Sequence, residues 1–182
     1  SIEGRQMRAS NEITTIEQLE ALFTPVSPVA LLKELDHIIP EYARLIEAAP
    51  FVVISTSGPE GLDCSPRGDP AGFVRIRDEK TLLIPDRRGN NRIDTLRNIV
   101  RDGRIALLFM IPGIGNTMRV NGRAVISVEP ALCESFAMRG NPAKCVIVVT
   151  VETIYPQCPK ALVRSRLWNP ETQIPRTSLP SL

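Results

Sequence analysis

The stretch Thr117–Val128, with the sequence TMRVNGRAVISV, alternates apolar and polar side chains over most of its length. Its apolar face carries Met118, Val120, Ala124, Ile126 and Val128, and its polar face carries Thr117, Arg119, Asn121 and Arg123. A period of two residues is typical of a β-strand that packs one face on a core and leaves the other in solvent. The stretch therefore predicts a half-buried strand.

Six other short runs rich in Val, Ile and Leu, separated by turn clusters, predict further strands. Their expected bounds are 51–56, 62–65, 72–77, 81–84, 104–111 and 144–155. Two helices interrupt them, one over 92–101 with Ile93, Leu96, Ile99 and Val100 inward, and one after Pro130. Because the other connections are too short for helical crossovers, we expect an antiparallel barrel.

The residues outside the strand region predict a different organisation. Residues 1–6, SIEGRQ, resemble a protease-site scar from expression, and 7–50 are expected to be helical. Thr14 and Glu17 have the spacing of a capping box, and Ser27 precedes a proline at the first position of the next helix. Residues 51–168 form the expected barrel domain, and the proline-rich tail 169–182 is expected to be irregular.

Composition excludes several classes of function. The 182 residues carry a net charge of only +2 and 4% aromatic side chains, so neither nucleic acid nor an anionic membrane is an expected partner. No apolar run approaches the roughly 20 residues that span a bilayer. The four irregularly spaced cysteines predict reduced thiols in a cytoplasmic protein, and a single histidine, His37, leaves little material for a metal site.

The segment 81–92 predicts a strand, then a basic loop, then a helix. With Asn91 as N-cap, the free N–H groups of the first helical turn would lie beside Arg88 and Arg92 and attract phosphate. A solvated loop explains the same residues equally well. Two other basic clusters, 64–70 and 158–168, add to an expected site for an anionic ligand with an aromatic part. The residues alone leave open a flavin, another nucleotide or a phosphorylated metabolite.

The order of these segments resembles the pyridoxamine 5′-phosphate oxidase-like flavin proteins. The segments that carry the resemblance are FVVIST (51–56), SPRGD (65–69), LIPDRRGNNR (83–92) and ALLF (106–109), within a likeness that covers 51–168. The resemblance implies an α+β, mainly β fold: an antiparallel split β-barrel with N-terminal helices and short peripheral helices. It also implies a homodimer with FMN at the subunit interface.

The resemblance also implies which residues contact FMN. The phosphate positions are Arg67, Asn90, Asn91 and Arg92, the flavin-ring positions are Pro85 and Asp86, and the positions contributed by the second subunit are Thr117 and Arg119. The local candidates in the C-terminal segment are Lys160, Arg164, Ser165 and Arg166. The oxidases carry a histidine there for the substrate phosphate, and no histidine follows His37 in this sequence. This difference argues against pyridoxamine phosphate as the substrate.

The expected function is that of an FMN-dependent oxidoreductase of unspecified substrate, with NADH or NADPH as electron donor. A noncatalytic flavin or haem carrier or sensor on the same fold is the alternative, and nucleic-acid binding ranks last. No catalytic side chain and no metal ligand stands out in the sequence.

Overall fold

Seven strands form one antiparallel sheet in the computed structural model, which describes residues 11–87 and 92–182. The strands are β1 (Phe51–Gly58), β2 (Gly61–Gly68), β3 (Arg75–Asp78), β4 (Thr81–Asp86), β5 (Arg104–Met110), β6 (Thr117–Ser127) and β7 (Cys145–Gln157). Their order in the sheet is β2-β1-β5-β6-β7-β4-β3. The expected α+β, mainly β fold, a split β-barrel with peripheral helices, is confirmed.

Strand β6 pairs with β5 on one side and β7 on the other, and its side chains alternate in burial along most of the strand. Two predictions at its ends were wrong. Thr117 is only 5% exposed, because the loop before β6 lies against the end of β7, where the Asn116 amide donates to the Gln157 carbonyl. Val128 is 71% exposed, because the strand ends at Ser127 and Val128 belongs to the following connection.

Gly122 marks an irregularity in the pairing of β6 with β7. The register shifts between Asn121 and Gly122, as in a β-bulge. A Cβ atom at Gly122 would run into the carbonyl oxygen of Thr150 on β7. The close approach of the two strands at this point therefore requires glycine.

The main core lies between the sheet and two helices, α3 (Pro40–Ala48) and α4 (Asp94–Arg101). Helix α3 contributes Tyr42 and Ile46 to this core. A smaller cluster beneath α5 (Pro130–Ser135) contains Cys133 and Phe136. Both clusters lie within 34–182, which is one of two compact units of the chain.

Helix α4 begins two residues later than predicted, at Asp94, and its buried face differs accordingly. Ile93 and Val100 are 40% and 76% exposed, so their predicted inward orientation was wrong. Thr95 and Asn98 are buried instead, beside Ile99. They lie inward because they hydrogen-bond to polar side chains of β1 and β2.

The other unit, 1–33, is described from residue 11 and contains α1 (Ile16–Glu20) and α2 (Pro28–Leu32). The capping box of α1 is formed by Thr15 and Gln18, one residue later than predicted, because the Gln18 amide group accepts from the N–H groups of both Thr14 and Thr15. Ser27 caps α2 as predicted, with its hydroxyl accepting from the Ala30 N–H at 3.2 Å.

The C-terminal part begins with α6 (Lys160–Ser165). The tail after it, which was expected to be irregular, contains two 3₁₀ turns, Pro170–Thr172 and Arg176–Ser178. All four cysteines are unpaired thiols, as predicted. Among the described residues, no helix is long and apolar enough to cross a bilayer.

Candidate functional site

A pocket of about 360 Å³ lies where the two ends of the curled sheet approach each other. Strand β2 is at one edge of the sheet and β4 lies next to the other edge, yet Arg67 on β2 contacts Asp86 on β4, with Nη2 and Oδ2 3.4 Å apart. The pocket is lined by residues 66–69, Phe73 and residues 85–87. Side chains, rather than a backbone ladder, thus bridge the split of the barrel.

Two arginine–aspartate pairs set the electrostatics of this pocket. The Arg67 and Asp86 side chains are 14% and 10% exposed, so water screens their attraction only weakly. Beside them, the Arg87 Nε lies 3.3 Å from Asp69 Oδ2, and its Nη1 donates to the Phe136 carbonyl at 2.7 Å. These contacts hold both guanidinium groups in place at the pocket wall.

Arg67 keeps donors available for an anion. A guanidinium has five N–H groups. The hydrogen bonds of Arg67 use Nη1, which donates to the Pro66 carbonyl at 3.0 Å, and Nη2, which donates to Asp86. Within the part of the chain that the structure describes, the Nε–H and the second N–H of each terminal nitrogen bond to no acceptor and are available for a ligand. Phosphate oxygens match this fork geometry, so the donor set fits a phosphate group.

The basic loop follows this pocket directly in the chain. Asn90 and Asn91, two of the expected phosphate positions, lie outside the described residues. The expectation that Asn91 caps the next helix was wrong, since Ile93 occupies the N-cap position of α4 and makes no side-chain cap. The first helical turn carries Asp94, whose carboxylate already pairs with Arg92 at 3.1 Å.

Arg92, the remaining phosphate candidate, lines a different cavity from Arg67. This cavity, of about 270 Å³, lies between α4 and the β1–β2 hairpin, and its charged lining consists of Glu60, Asp63, Asp94, Arg92 and Arg97. Among the residues that the structure describes, three carboxylates and two guanidinium groups line this cavity, so its described lining is less suited to an anion than that of the Arg67 pocket.

Polar side chains anchor α4 to the sheet beside this second cavity. Asp63 on β2 accepts hydrogen bonds from the Thr95 hydroxyl at 2.5 Å and the Ser65 hydroxyl at 2.8 Å. The buried Asn98 side chain donates to the Thr56 hydroxyl at 3.1 Å. These bonds fix the position at which the chain re-enters a helix after the basic loop.

The two expected flavin-ring positions and the two expected second-subunit positions lie in different places. Pro85 and Asp86 are buried on β4 and line the Arg67 pocket. Thr117 and Arg119 lie on β6 and do not line it. Arg119 is exposed, with its guanidinium carbon 5.9 Å from the centre of the Tyr155 ring.

The C-terminal candidates are exposed on α6 or just after it and do not line the Arg67 pocket of their own chain. Lys160 and Arg164 are one turn apart, and the Arg164 Nε donates to the Lys160 carbonyl at 3.4 Å. The Ser165 hydroxyl donates back to the helix, and Arg166 adopts a left-handed backbone conformation at the helix end, with Nη2 3.3 Å from Glu171.

Trp168 connects the segment around α6 to the barrel of the same chain by a hydrogen bond. Its indole Nε1 donates to the Ile114 carbonyl at 2.9 Å. Nearby, a Cβ atom at Gly115 would lie 2.7 Å from the Pro159 side chain, so the loop before β6 and the segment around α6 pack closely. The sole tryptophan therefore acts as a packing residue in the protomer.

Sequence reasoning did not identify Arg87 and Asp69 as site residues. Both appear in the segments that predicted an anion site, but no role followed from their positions. The available signal was in the sequence itself, where each of two strand ends carries one arginine and one aspartate. Arg67 and Asp69 lie near the end of one strand, and Asp86 and Arg87 lie near the end of the other. Such charges are brought together only when the strands lie side by side.

Cys145, which pairs with Asp86 across β4 and β7, is buried and is not among the residues that line the Arg67 pocket. Burial, together with the Asp86 carboxylate, raises the pKa of its thiol to about 11. The thiolate is the reactive form of cysteine, and at neutral pH almost none is present here. Cys145 is therefore not expected to react as a thiolate near neutral pH.

Known proteins similar to this chain show its family and its fold. The family model for pyridoxamine 5′-phosphate oxidase matches residues 38–158. The HupZ structure from Group A Streptococcus is 24% identical, covers 65% of this chain and 93% of its own, and superposes with a TM-score of 0.53. A protein from Clostridium acetobutylicum related to general stress protein 26, of the pyridoxinephosphate oxidase family, is 16% identical, covers 64% of this chain and 85% of its own, and has a TM-score of 0.50. These likenesses support the fold, and no curated protein matches the sequence.

Proposed function

Because the chain belongs to the pyridoxamine 5′-phosphate oxidase family, we propose that it binds FMN as a homodimer and acts as a flavin-dependent oxidoreductase. The observation that carries the proposal is the Arg67 pocket. It combines a nearly buried guanidinium with an aspartate that holds it in place, and among the described residues part of the N–H donors of that guanidinium have no acceptor. A phosphate monoester is the chemical group that best matches these donors.

In this proposal Arg67 binds the FMN phosphate, and Asp86 orients Arg67 from behind. Arg87 adds positive charge at the same wall, where Asp69 and the Phe136 carbonyl fix its guanidinium. Asn90, Asn91 and Arg92 remain proposed phosphate contacts from the loop that follows. Bound FMN would supply the hydride and electron transfer that no side chain of this pocket provides.

The remaining contacts are proposed to come from the second subunit. Thr117, Arg119, Lys160, Arg164, Ser165 and Arg166 are assigned this role. Their placement supports it, because they lie away from the Arg67 pocket of their own chain. A homodimer would bring one protomer's β6 and α6 region to the other protomer's pocket.

Pyridoxamine phosphate is not the proposed substrate. His37, the only histidine of the sequence, lies near the N-terminus, and its Nδ1 is 2.9 Å from the neighbouring Asp36 carboxylate. It does not line the Arg67 pocket, so the pocket wall of the protomer has no imidazole for proton transfer or for haem ligation. This observation leaves proton transfer to other groups or to the substrate.

A visible spectrum of the purified full chain tests the proposal directly. We expect flavin absorbance, or uptake of added FMN with a stoichiometry of one per chain, and bleaching by NADH or NADPH with recovery in air. The background control is the rate at which NADH or NADPH bleaches free FMN in the absence of the protein. Protein that neither carries flavin nor takes up FMN contradicts the proposal, and protein that binds FMN but is not reduced is a flavin carrier.

A further inference from the structure

Strand β2 carries a row of polar side chains on one face. Asp63, Ser65 and Arg67 are half-buried, and the residues between them are exposed. Because successive side chains of a strand point to opposite faces, these three lie in line, with about 13 Å of strand from the first to the last. The strand therefore presents the proposed phosphate ligand Arg67 at one end of the row and the Asp63 carboxylate at the other.

Side chains, rather than a second ladder, connect the outer edge of β2 to its surroundings. Among the described residues β1 is the only strand that pairs with β2, so β2 is an edge strand. Arg67 contacts Asp86 at the end of β4, with Nη2 and Oδ2 3.4 Å apart. Asp63 contacts the first turn of α4, where the Thr95 hydroxyl donates to its Oδ2 at 2.5 Å. The two ends of the polar row thus contact the two segments that flank the basic loop.

The contact with β2 anchors a helix start that has no side-chain cap. In the described part of the chain, Ile93 occupies the N-cap position of α4 and makes no capping hydrogen bond. Side-chain caps stabilise helix starts, so a first turn without one needs another contact. Thr95, 2% exposed, provides it by bonding to Asp63, and the same Asp63 oxygen accepts from the Ser65 hydroxyl at 2.8 Å. The Asp63 carboxylate therefore holds this turn on β2.

Arg92 connects this turn to the proposed phosphate contacts. Its Nη2 lies 3.1 Å from Asp94 Oδ2, and Asp94 precedes Thr95 at the start of α4. Asp86 and Thr95 are nine positions apart in the sequence. An extended chain of that length spans about 30 Å, well beyond the length of the polar row on β2. The covalent chain alone therefore does not determine where Arg92 lies relative to Arg67.

We propose that Asp63 and Thr95 are positioning residues for the phosphate of FMN. Their hydrogen bond fixes the start of α4, and with it Arg92, relative to Arg67. The inference rests on the proposed function and adds two residues to its site. The hydroxyls of Ser65 and Thr95 each donate their single proton to Asp63, so neither is a phosphate donor in this arrangement. Loss of the bond is therefore expected to weaken binding of the phosphate and to leave binding of the flavin ring unchanged.

Thr95→Val tests the contact, because valine keeps the branched shape of the side chain and removes the hydroxyl. Fluorescence titration of the full chain measures the dissociation constants for FMN and for riboflavin, which has no phosphate. We expect the constant for FMN to rise about 3- to 10-fold, the range for the loss of one hydrogen bond, and the constant for riboflavin to stay the same. Thr95→Ser keeps the hydroxyl and should restore the affinity for FMN. Failure of Thr95→Ser to restore it overturns the inference.

Thr56→Val is the matched control. Thr56 is 5% exposed, and its hydroxyl accepts at 3.1 Å from the amide of Asn98, which lies on α4 one turn after Thr95. The same substitution therefore removes one buried hydrogen bond between α4 and the sheet, away from the helix start. Both valine variants should lower the midpoint of unfolding in urea, but Thr56→Val should leave the affinity for FMN unchanged. An equal loss of FMN affinity in the two variants overturns the positioning role, because any loosening of α4 would then have this effect.

A double substitution attributes the loss to Asp63. In an Asp63→Ala background, Thr95→Val should cause no further loss of FMN affinity, because the partner of the hydroxyl is already absent. Losses that multiply in the double variant overturn the inference.

The unchanged chain separates this inference from the proposed function. An unchanged chain that takes up no FMN overturns the proposed function, and the inference with it. FMN binding by the unchanged chain that Thr95→Val does not weaken overturns only the positioning role of Asp63 and Thr95.

Discussion

Replacing Arg67 by methionine is the sharpest test of the proposed flavin site. Methionine keeps an unbranched chain of similar length and removes the guanidinium, whose Nη2 lies 3.4 Å from Asp86 and which is 14% exposed. If the guanidinium binds the FMN phosphate, the variant loses affinity for FMN but keeps its affinity for riboflavin, which has the same ring system and no phosphate.

The size of the effect follows from the hydrogen bonds that are lost. Hydrogen bonds to charged groups contribute about 1.5–3 kcal/mol each. Losing one raises the dissociation constant for FMN by about 10- to 150-fold. The variant also leaves Asp86 without its partner. Because that contact is long and not fully buried, we expect a loss of about 1–2 kcal/mol in the free energy of unfolding, less than for a fully buried pair.

Fluorescence titration with FMN and riboflavin in parallel measures both affinities. Arg77→Met is the matched control, because Arg77 is 53% exposed on β3 and lies 4.0 Å from its carboxylate partner. It should leave both dissociation constants unchanged. Equal weakening of FMN and riboflavin by Arg67→Met would show that Arg67 acts through the fold, and unchanged FMN affinity would remove it from the phosphate site.

Three other predictions follow from the fold. Cys158 is exposed, and a hydrogen bond from a backbone N–H is the chief cause that lowers its pKa, whereas the pKa of Cys145 is about 11. Iodoacetamide at pH 8 should therefore alkylate Cys158 well before Cys145. Peptide mass spectrometry measures the order of alkylation, and equal rates would contradict the prediction. The Arg104 side chain lowers the pKa of Asp102 from 3.8 to about 2. The ionised Asp102 therefore stabilises the fold fully above about pH 4, and this stabilisation is lost as the pH falls through 2. The carboxyl NMR signal of Asp102 should titrate near pH 2 in the unchanged protein and closer to 3.8 in Arg104→Met. Gly122→Ala should lower the free energy of unfolding in urea by about 1–3 kcal/mol, because its Cβ meets the carbonyl of the opposite strand, and an unchanged midpoint would contradict this.

Much of the sheet was predictable because its signal is local. The alternation in β6 and the turn clusters around the other strands depend only on neighbouring residues, and all seven strands are present. The errors lie where tertiary contacts decide the outcome. Thr117 is polar but covered by the end of a neighbouring strand, and α4 begins at Asp94 with Thr95 inward, because Asp63 on β2 offers that hydroxyl a partner.

The candidate site was predictable in part. The arginines near the strand ends gave a reason to expect an anion, but the sequence could not show which carboxylate each one contacts. Arg67 and Asp86 are separated by 19 positions and meet only because the sheet curls until β2 and β4 lie side by side. The role of Arg87 depends on the same closure, since its partners Asp69 and Phe136 come from other parts of the chain.

In the proposed function, closure of the barrel and recognition of an anion depend on the same side chains. Where an antiparallel sheet curls without completing its hydrogen-bonded ladder, edge strands leave polar groups that need partners. Here Arg67 meets Asp86 across the split, and this contact uses only part of the guanidinium. A phosphate can bind to the remaining N–H groups without breaking the contact that holds the strands together. A ligand that binds the folded pocket and not the unfolded chain stabilises the fold by mass action, so occupancy of the site should reinforce the closure of the barrel.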